Sequence, residues 1–301
     1  MNINKACILE DRGILFIDGA EVKDFLQNII TNDINKVTDS NSCFASILNP
    51  QGKFLFDFLV VKHKNGYFID CEKFQIDELF KQLTLYKLRS DIQILNLSNE
   101  FVVTALSYEK FKLIEGTKDK LGFTIKYGED PILLDPRNKK LGARLIINLE
   151  KLSSSLKKLD LKSIKQEEYY DLSFNLGIPQ KNTNKLKNKI FGIECNFEEL
   201  NAIDFQKGCY VGQENTSRIK LRNKLTKRLL PIKIIEGNIK EGDSIDSKNS
   251  EIGKILIDKN YPFAVIKFTN NEFNFNSIYK TSNSKIKVLK PDWIDKAFKN
   301  I

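Results

Sequence analysis

Residues 205–218 read FQKGCYVGQENTSR and gather groups that a connecting loop seldom needs together: a thiol, an ammonium, a phenol, an amide and a carboxylate. Cys209 is the chemically versatile member, because a thiolate is both nucleophile and metal ligand. Lys207, two residues earlier, is a cation that would lower the thiol pKa where the two side chains approach. Gly208 and Gly212 permit backbone conformations and close approaches that other residues resist. The thiol is therefore expected partly exposed at a turn, with Gln213 and Glu214 adding hydrogen-bonding groups beside it. A glycine-supported turn around a buried, inert cysteine accounts for the same residues structurally. Spacing alone leaves both readings open.

Other routes to chemistry are narrower. The one histidine, His63 in VVKHKNGYFI, precedes an Asn65-Gly66 pair that signals a hairpin, which places it near a strand end in solvent. Any Cys-His or Ser-His mechanism would have to recruit this residue. Cys7, Cys43, Cys71, Cys195 and Cys209 are odd in number and scattered, with no C-x-x-C pair. That speaks against a disulfide framework and against a zinc or iron-sulfur site, so no metal is expected to be held by this chain alone. The stretch RIKLRNKLTKR carries Arg218, Lys220, Arg222, Lys224, Lys227 and Arg228 without an acid. Read as extended, it turns Arg218, Lys220 and Arg222 away from Ile219 and Leu221. Such a basic stripe is either a solvated face or an anion site for a phosphate backbone or a polyglutamate tail. It has no interleaved aromatic signature of RNA recognition.

The elements that must position these residues come from patterning. A chain of 301 residues with 41% hydrophobic and 29% charged residues builds a sizeable core and more than one packing unit. Its formal charge of +9 points to acidic partners or to a lysine-rich, soluble surface. No apolar run reaches the ~20 residues of a membrane span. The opening MNINKACILEDRG shows neither a signal core nor a transit-type amphipathic stretch, so a cytoplasmic location is expected. DGAEVKDFLQNII predicts a helix with Val22, Phe25, Leu26, Ile29 and Ile30 on one face and Asp18 at its cap. CFASIL, FLFDFLVVK and GYFIDC predict strands around the NPQGK turn. QIDELFKQLTLYKL predicts a second helix through Ile76, Leu79, Phe80, Leu83 and Tyr86. IQILNL, FVVTAL and LGARLIINL predict further strands. IKQEEYYDLSFNLGIP predicts a helix facing inward through Ile164, Glu168, Tyr169, Leu172 and Leu176, stopped by Gly177 and Pro179. The short apolar runs after residue 226 predict a small β-barrel. The class is α+β.

KGCYVGQE is similar to the signature K-[GA]-C-Y-x-G-Q-E of the YgfZ-type folate-binding proteins, relatives of the glycine-cleavage T-protein, an aminomethyltransferase. LDPRNKKLGARL resembles that family's D-x-R…L-G-x-R element, YKLRSDIQI its L-R-S stretch, and FLQNIITNDI with NPQGKFLFDF its N-terminal part. LGIP, IECNF, RLLPI, IGKI and PDWI follow in the family's order, so the likeness covers nearly the whole chain. It implies a three-unit ring with ferredoxin-like α+β units and a small C-terminal β-barrel around a hole that holds tetrahydrofolate. The implied domains are residues 1–49 plus 161–225 as a discontinuous folate-binding core, 50–160 as an inserted α+β unit, and 226–301 as the barrel.

The resemblance assigns Cys209 and Lys207 to the chemistry. It assigns Thr31, Asn32, Asp33, Arg89, Arg144, Asn175, Gly208, Tyr210, Gly212, Gln213, Glu214 and Arg218 to tetrahydrofolate or a one-carbon-substituted folate. Gln51, Gly52, Lys53 and Arg137 match further motif positions. Asp33, Asn175 and Glu214 would meet the pterin edge, Tyr210 and Phe205 its walls. Two positions depart: Ser173 stands where many members have arginine, and Gly192 where proline is usual. Asn175 replaces the pterin-recognising glutamate of aminomethyltransferases. The function implied is a folate-binding accessory protein for iron-sulfur assembly or repair, tRNA-modifying enzymes included. Its partners would be iron-sulfur proteins or assembly factors, with no membrane. The alternatives are a folate-dependent aminomethyl or methyl transferase, which is the form an enzymatic role would take, and a tRNA-binding module using Arg218, Lys220, Arg222 and Lys224.

Overall fold

The computed structural model describes residues 2–222, 225–247, 250–268 and 273–295. In chain order the strands are β1 (Lys5–Leu9), β2 (Arg12–Asp18), β3 (Cys43–Leu48), β4 (Phe54–His63), β5 (Gly66–Glu72), β6 (Gln93–Asn96), β7 (Phe101–Leu106), β8 (Thr124–Tyr127), β9 (Asp130–Leu134), β10 (Ala143–Asn148), β11 (Lys162–Ile164), β12 (Lys227–Gly237), β13 (Ser244–Asp246), β14 (Glu251–Ile257), β15 (Phe263–Lys267), β16 (Ile278–Lys280) and β17 (Ser284–Val288). The helices are α1 (Val22–Ile29), α2 (Ile76–Lys87), α3 (Tyr108–Leu113), α4 (Leu152–Lys158), α5 (Glu167–Asn175) and α6 (Gln213–Leu221). Two compact units result: Met1–Leu48, Phe56–Tyr169 and Leu200–Val211 form the first, and Asn49–Leu55, Tyr170–Glu199 and Gly212–Ile301 the second.

The first unit carries two sheets, ordered β11-β1-β7-β10-β9-β8 and β3-β4-β5-β2-β6. β2 and β5 sit inside their sheet and are buried on both faces, which is why RGILFID and GYFIDC read as nearly continuous apolar runs broken only by a few charges. Phe111 of α3 and Leu156 of α4 pack with Leu106, Ile132, Leu145 and Ile147 in one core cluster. α1 buries Val22, Phe25, Leu26 and Ile29 as their spacing predicts, each burial contributing roughly 1.5–3 kcal/mol. The three-unit division expected above is drawn differently here. β1 pairs with β7 and β2 with β5 and β6, so residues 1–49 share both sheets with the segment expected as an insert.

Three local expectations are corrected. Asp18 ends β2 instead of capping α1, and its carboxylate accepts from Asn65 Nδ2 at 3.2 Å. The chain needs Gly19 to turn there, because a Cβ would meet the Asp91 carbonyl at 2.3 Å and φ is +120°. The hairpin turn lies one residue early, at Lys64-Asn65, with His63 paired to Gly66. On α5, Ile164 belongs to β11 and Glu168 is exposed, while Tyr169, Tyr170, Ser173 and Leu176 are buried. Backbone pairing of Ile164 with Cys7 draws it out of the helical register.

In the second unit β12-β15-β14-β13-β16-β17 close into the expected barrel. Leu230, Ile232, Ile245, Ile255, Ile266 and Ile286 fill it. α5 stops as read at Gly177, whose φ is +70°, and Trp293 Nε1 donates to the Leu176 carbonyl at 2.8 Å.

Candidate functional site

In the first unit the signature loop is held by its lysine. Lys207 Nζ donates to the carbonyls of Gln27 at 2.7 Å, Ile30 at 2.6 Å and Asn32 at 3.0 Å. Two of these belong to the last turn of α1 and the residue after it, where carbonyls lack helical partners and a cation is favoured. The ammonium also lies 5.0 Å from the centre of the Tyr210 ring. Burial pushes the Lys207 pKa down to about 8, with Asp33 pulling the other way. Val211 N donates to Asn28 O at 3.1 Å and Asp204 N to Thr31 O at 3.1 Å, so both ends of the loop are tied to the segment after α1. The lysine is therefore an anchor whose charge is directed at α1, in place of the thiol activator expected above.

Cys209 is exposed at the loop's tip, while Cys7, Cys43, Cys71 and Cys195 are buried. Burial raises the thiol pKa of Cys7 to about 11 and of Cys43 to about 12. Gly208 is not sterically required, since an added Cβ would meet nothing within 4 Å. Tyr210 is buried and does not line the depression described below.

Thr31, Asn32 and Asp33 serve largely to shape the backbone. Thr31 Oγ1 donates to Ala202 O at 2.7 Å, Asn32 Nδ2 donates to Phe44 O and Asn201 O at 2.8 Å each, and Asp33 Oδ1 accepts from Asn35 N at 3.0 Å. Beside them lies an open depression of about 370 Å³ lined by Asn32, Lys36, Asn201, Asp204, Phe205 and Gln206 among others. Its size suits a small ligand, and its amide and carboxylate groups stand next to an aromatic ring. Asp204 bonds to Lys36 and to Gln206 N; burial alone would raise its carboxyl, but those bonds hold it below the usual range. Lys36, Asn201 and Asp204 were missed by sequence reasoning. The available signal was position, because Asn201 and Asp204 precede the signature directly and Lys36 follows the Thr31-Asn32-Asp33 motif.

The rest of the signature opens α6 in the second unit. Gly212 caps the helix at φ +81°, and Gly52 packs on it, a Cβ there meeting Gly212 O at 3.0 Å. Asn215 Nδ2 donates to Gln51 O at 2.8 Å, which joins the NPQGK turn to the signature. Gln213 is the first helical residue, and Glu214 is exposed and paired with Arg218 at 2.6 Å. Asn175 is exposed at the end of α5.

Three expectations change here, and Arg89 is placed. Arg144 has 0% exposure and is committed to a buried network. It pairs with Asp70 Oδ2, donates to Tyr169 Oη at 3.0 Å and lies 3.6 Å from Asp135 Oδ2, while Arg12 bonds Asp70 and Arg137 bonds Asp135. A cation so enclosed does not reach a ligand's acidic tail. Residues 218–221 are helical, so the extended stripe does not form; Lys220 pairs with Glu198, Arg222 is exposed at the helix end, and Lys224 lies outside the described residues. His63 is buried at 7% exposure and stacks on Phe68 at 4.2 Å. Arg89 is exposed beside Leu88, on an open groove shared with Glu21 and Ser90.

No family model matches the chain. It is 27% identical over 271 residues to the mitochondrial iron-sulfur cluster assembly factor IBA57 homolog of Dictyostelium discoideum, which covers 80% of this chain and 66% of that protein. Identity to the Neurospora crassa homolog is 30% over 230 residues, covering 74% and 52%. For the mouse protein it is 23% over 241 residues, covering 75% and 65%. The chain thus spans between about half and two thirds of the curated relatives it matches. Its fold matches the crystal structure of glycine cleavage system aminomethyltransferase T from Bartonella henselae, with a TM-score of 0.74, 12% identity, and 96% of this chain and 86% of that one covered. This is the expected α+β architecture with a closed barrel. The cytoplasmic expectation is corrected, since each of these curated relatives is mitochondrial by name.

Proposed function

We propose that this chain, which belongs to the IBA57-homolog family within the aminomethyltransferase and YgfZ-like superfamily, is a tetrahydrofolate-binding accessory protein of iron-sulfur cluster assembly. The observation that carries the reading is the contrast among the cysteines: four are buried and Cys209 stands exposed on a loop anchored by Lys207. One outward thiol can contribute one ligand to a cluster whose remaining ligands come from a partner. The cluster is cargo in this reading.

The first-unit depression suits a folate by its donor set. Asn32, Asn201 and Asp204 would meet the pterin edge, Phe205 would form a wall, and Lys36 would stand at the rim for a carboxylate. Bound tetrahydrofolate supplies an N5 that carries one-carbon units. The anchored loop orients Cys209 while the depression is filled, so ligand binding and thiol chemistry are separable.

The test is anaerobic calorimetric titration of tetrahydrofolate into the full chain and into Phe205→Ala, Glu214→Ala and Cys209→Ala. Saturable binding that is lost in Phe205→Ala and retained in Cys209→Ala is expected. Absence of binding to the unmodified chain sinks the folate part of the reading. A glutathione-ligated [2Fe–2S] complex, followed by its visible absorption, tests the other part: Cys209→Ala should abolish any transfer to the chain.

A further inference from the structure

A second, smaller cavity lies beside the β4–β5 hairpin, about 60 Å³ in volume and largely enclosed. At ~10–15 Å³ per water it holds a few waters or one tetrahedral ion. Lys62, His63, Lys64 and Lys126 line it, with Asp39 and Glu129. Nothing in the folate or cluster chemistry above uses these residues.

His63 is the informative member. Its ring stacks on Phe68 and meets Phe16 and Phe101 edge-on, at 6.1 and 6.0 Å. It is 7% exposed and has no hydrogen-bond partner among the described residues, while its edge opens to the cavity. Neither ring nitrogen is among the fully buried, unpartnered polar atoms, so each keeps access to the cavity and can bond its occupant. Burial first, then Lys64, Lys126 and Lys151, push its pKa down to about 4 against the pull of Glu129. At neutral pH the ring is uncharged and offers one N–H donor. Lys62 lies over the Tyr67 ring at 4.7 Å, and Lys126 pairs with Asp39 at 3.4 Å. Lys64 and Glu129 have no ion-pair partner among the described residues. With Asp39 already neutralised, the cavity keeps two uncompensated ammonium groups against one carboxylate. Among the described residues no three His, Cys, Asp or Glu side chains gather as a metal site, so a cation is not the occupant that this set favours.

We propose that this cavity binds a protonated tetrahedral oxyanion, inorganic phosphate or the phosphate end of a monoester. Lys62 and Lys64 neutralise it while Lys126 stays paired with Asp39 at the wall, His63 donates to one oxygen, and Glu129 accepts the hydrogen bond of its P–O–H group. The carboxylate is what makes the assignment specific. It repels an anion without a proton, such as sulfate, and accepts from one that carries a proton.

The chain has a single histidine, so the carbon-bound ring protons of His63 report on the cavity in one-dimensional NMR of the untagged full chain. At pH 7 inorganic phosphate should shift them saturably, and sulfate or chloride at matched ionic strength should not. Glu129→Gln should admit sulfate as well as phosphate. Lys64→Ala, which leaves the Lys126–Asp39 pair intact, should weaken phosphate binding by about tenfold; Lys64 is exposed, so the fold is retained. Methyl phosphate, titrated beside inorganic phosphate at about pH 5.5, where most of it keeps a P–O–H because its second pKa is about 6, separates the two sources: a matching saturable shift assigns the site to the end of a monoester, and no shift assigns it to free phosphate. Equal, non-saturating responses to phosphate and sulfate would mean only ionic screening and would overturn the proposal.

Discussion

Residues 135–144 and the loop at 205–211 both belong to the first unit, and both look in sequence like ligand-facing motifs, the first rich in cations and the second pairing one lysine with a thiol. The first folds its aspartate and both arginines into a buried ion network and leaves only Lys139 and Lys140 exposed: Asp135 and Arg144 are at 0% exposure, and Arg137 makes a two-point contact with Asp135 while lying 5.2 Å from the Phe44 ring. The second also buries its cation, Lys207, but against carbonyls, and leaves its thiol outside. A motif can thus be kept together by folding or by chemistry. What separates the cases is whether the reactive atom reaches solvent once its neighbours are satisfied.

The comparison can be broken most severely at Arg144. Arg144→Ala leaves Asp70 and Asp135 short of a buried counter-charge, and a loss of ~3–5 kcal/mol is expected in urea unfolding. Acid probes the same network more gently. Burial alone would raise the Asp70 and Asp135 carboxyls, but Arg12 and Arg144 around one and Arg137 and Arg144 around the other hold them below their ordinary values. Their contribution is therefore fully present above the unfolded pKa of about 4 and is lost as pH falls through the folded values. Urea midpoints should drop on acidification below that pH, and less so in the Arg144 variant.

A smaller effect is expected at the anchor. Lys207→Met removes three charge-assisted bonds but also a desolvated ammonium, so a net loss of about 1–3 kcal/mol follows. Hydrogen exchange across residues 205–211 should speed up more than in the β10 core. Arginine should not restore it, because a planar fork does not reproduce three converging bonds from one nitrogen. The mildest change is Cys209→Ser, within ~0.5 kcal/mol of the parent in stability. Iodoacetamide with mass spectrometry should add one label to the native chain, at Cys209, and none to that variant. Native labelling at Cys7, Cys43, Cys71 or Cys195 would erase the contrast between the two regions.

Where the sequence was legible, the signal was local. The short apolar runs in EIGKILI and PFAVIKF, set between turn residues, mark β14 and β15, and Val22, Phe25, Leu26 and Ile29 mark α1 whatever their surroundings. Where it misled, two periods fitted one segment. Arg218, Lys220 and Arg222 alternate as a strand would, yet Glu214 and Arg218 also make an i,i+4 pair, and Gly212 at φ +81° starts a helix. Asp18 looked like a cap only because pairing of β2 with β5 and β6 was invisible.

By its own residues the sequence determined the α+β class, the barrel, the signature with its family and the solitary cysteine at its centre, because periodicity and motif spacing are properties of neighbours along the chain. Which charges are ligands and which are mortar was decided only by tertiary structure. Arg144 finds Asp70 across 74 residues, Lys207 finds Ile30 across 177, and His63 finds a pocket of aromatic rings drawn from separate strands. The cost of burying a charge or an imidazole depends on partners brought together by folding.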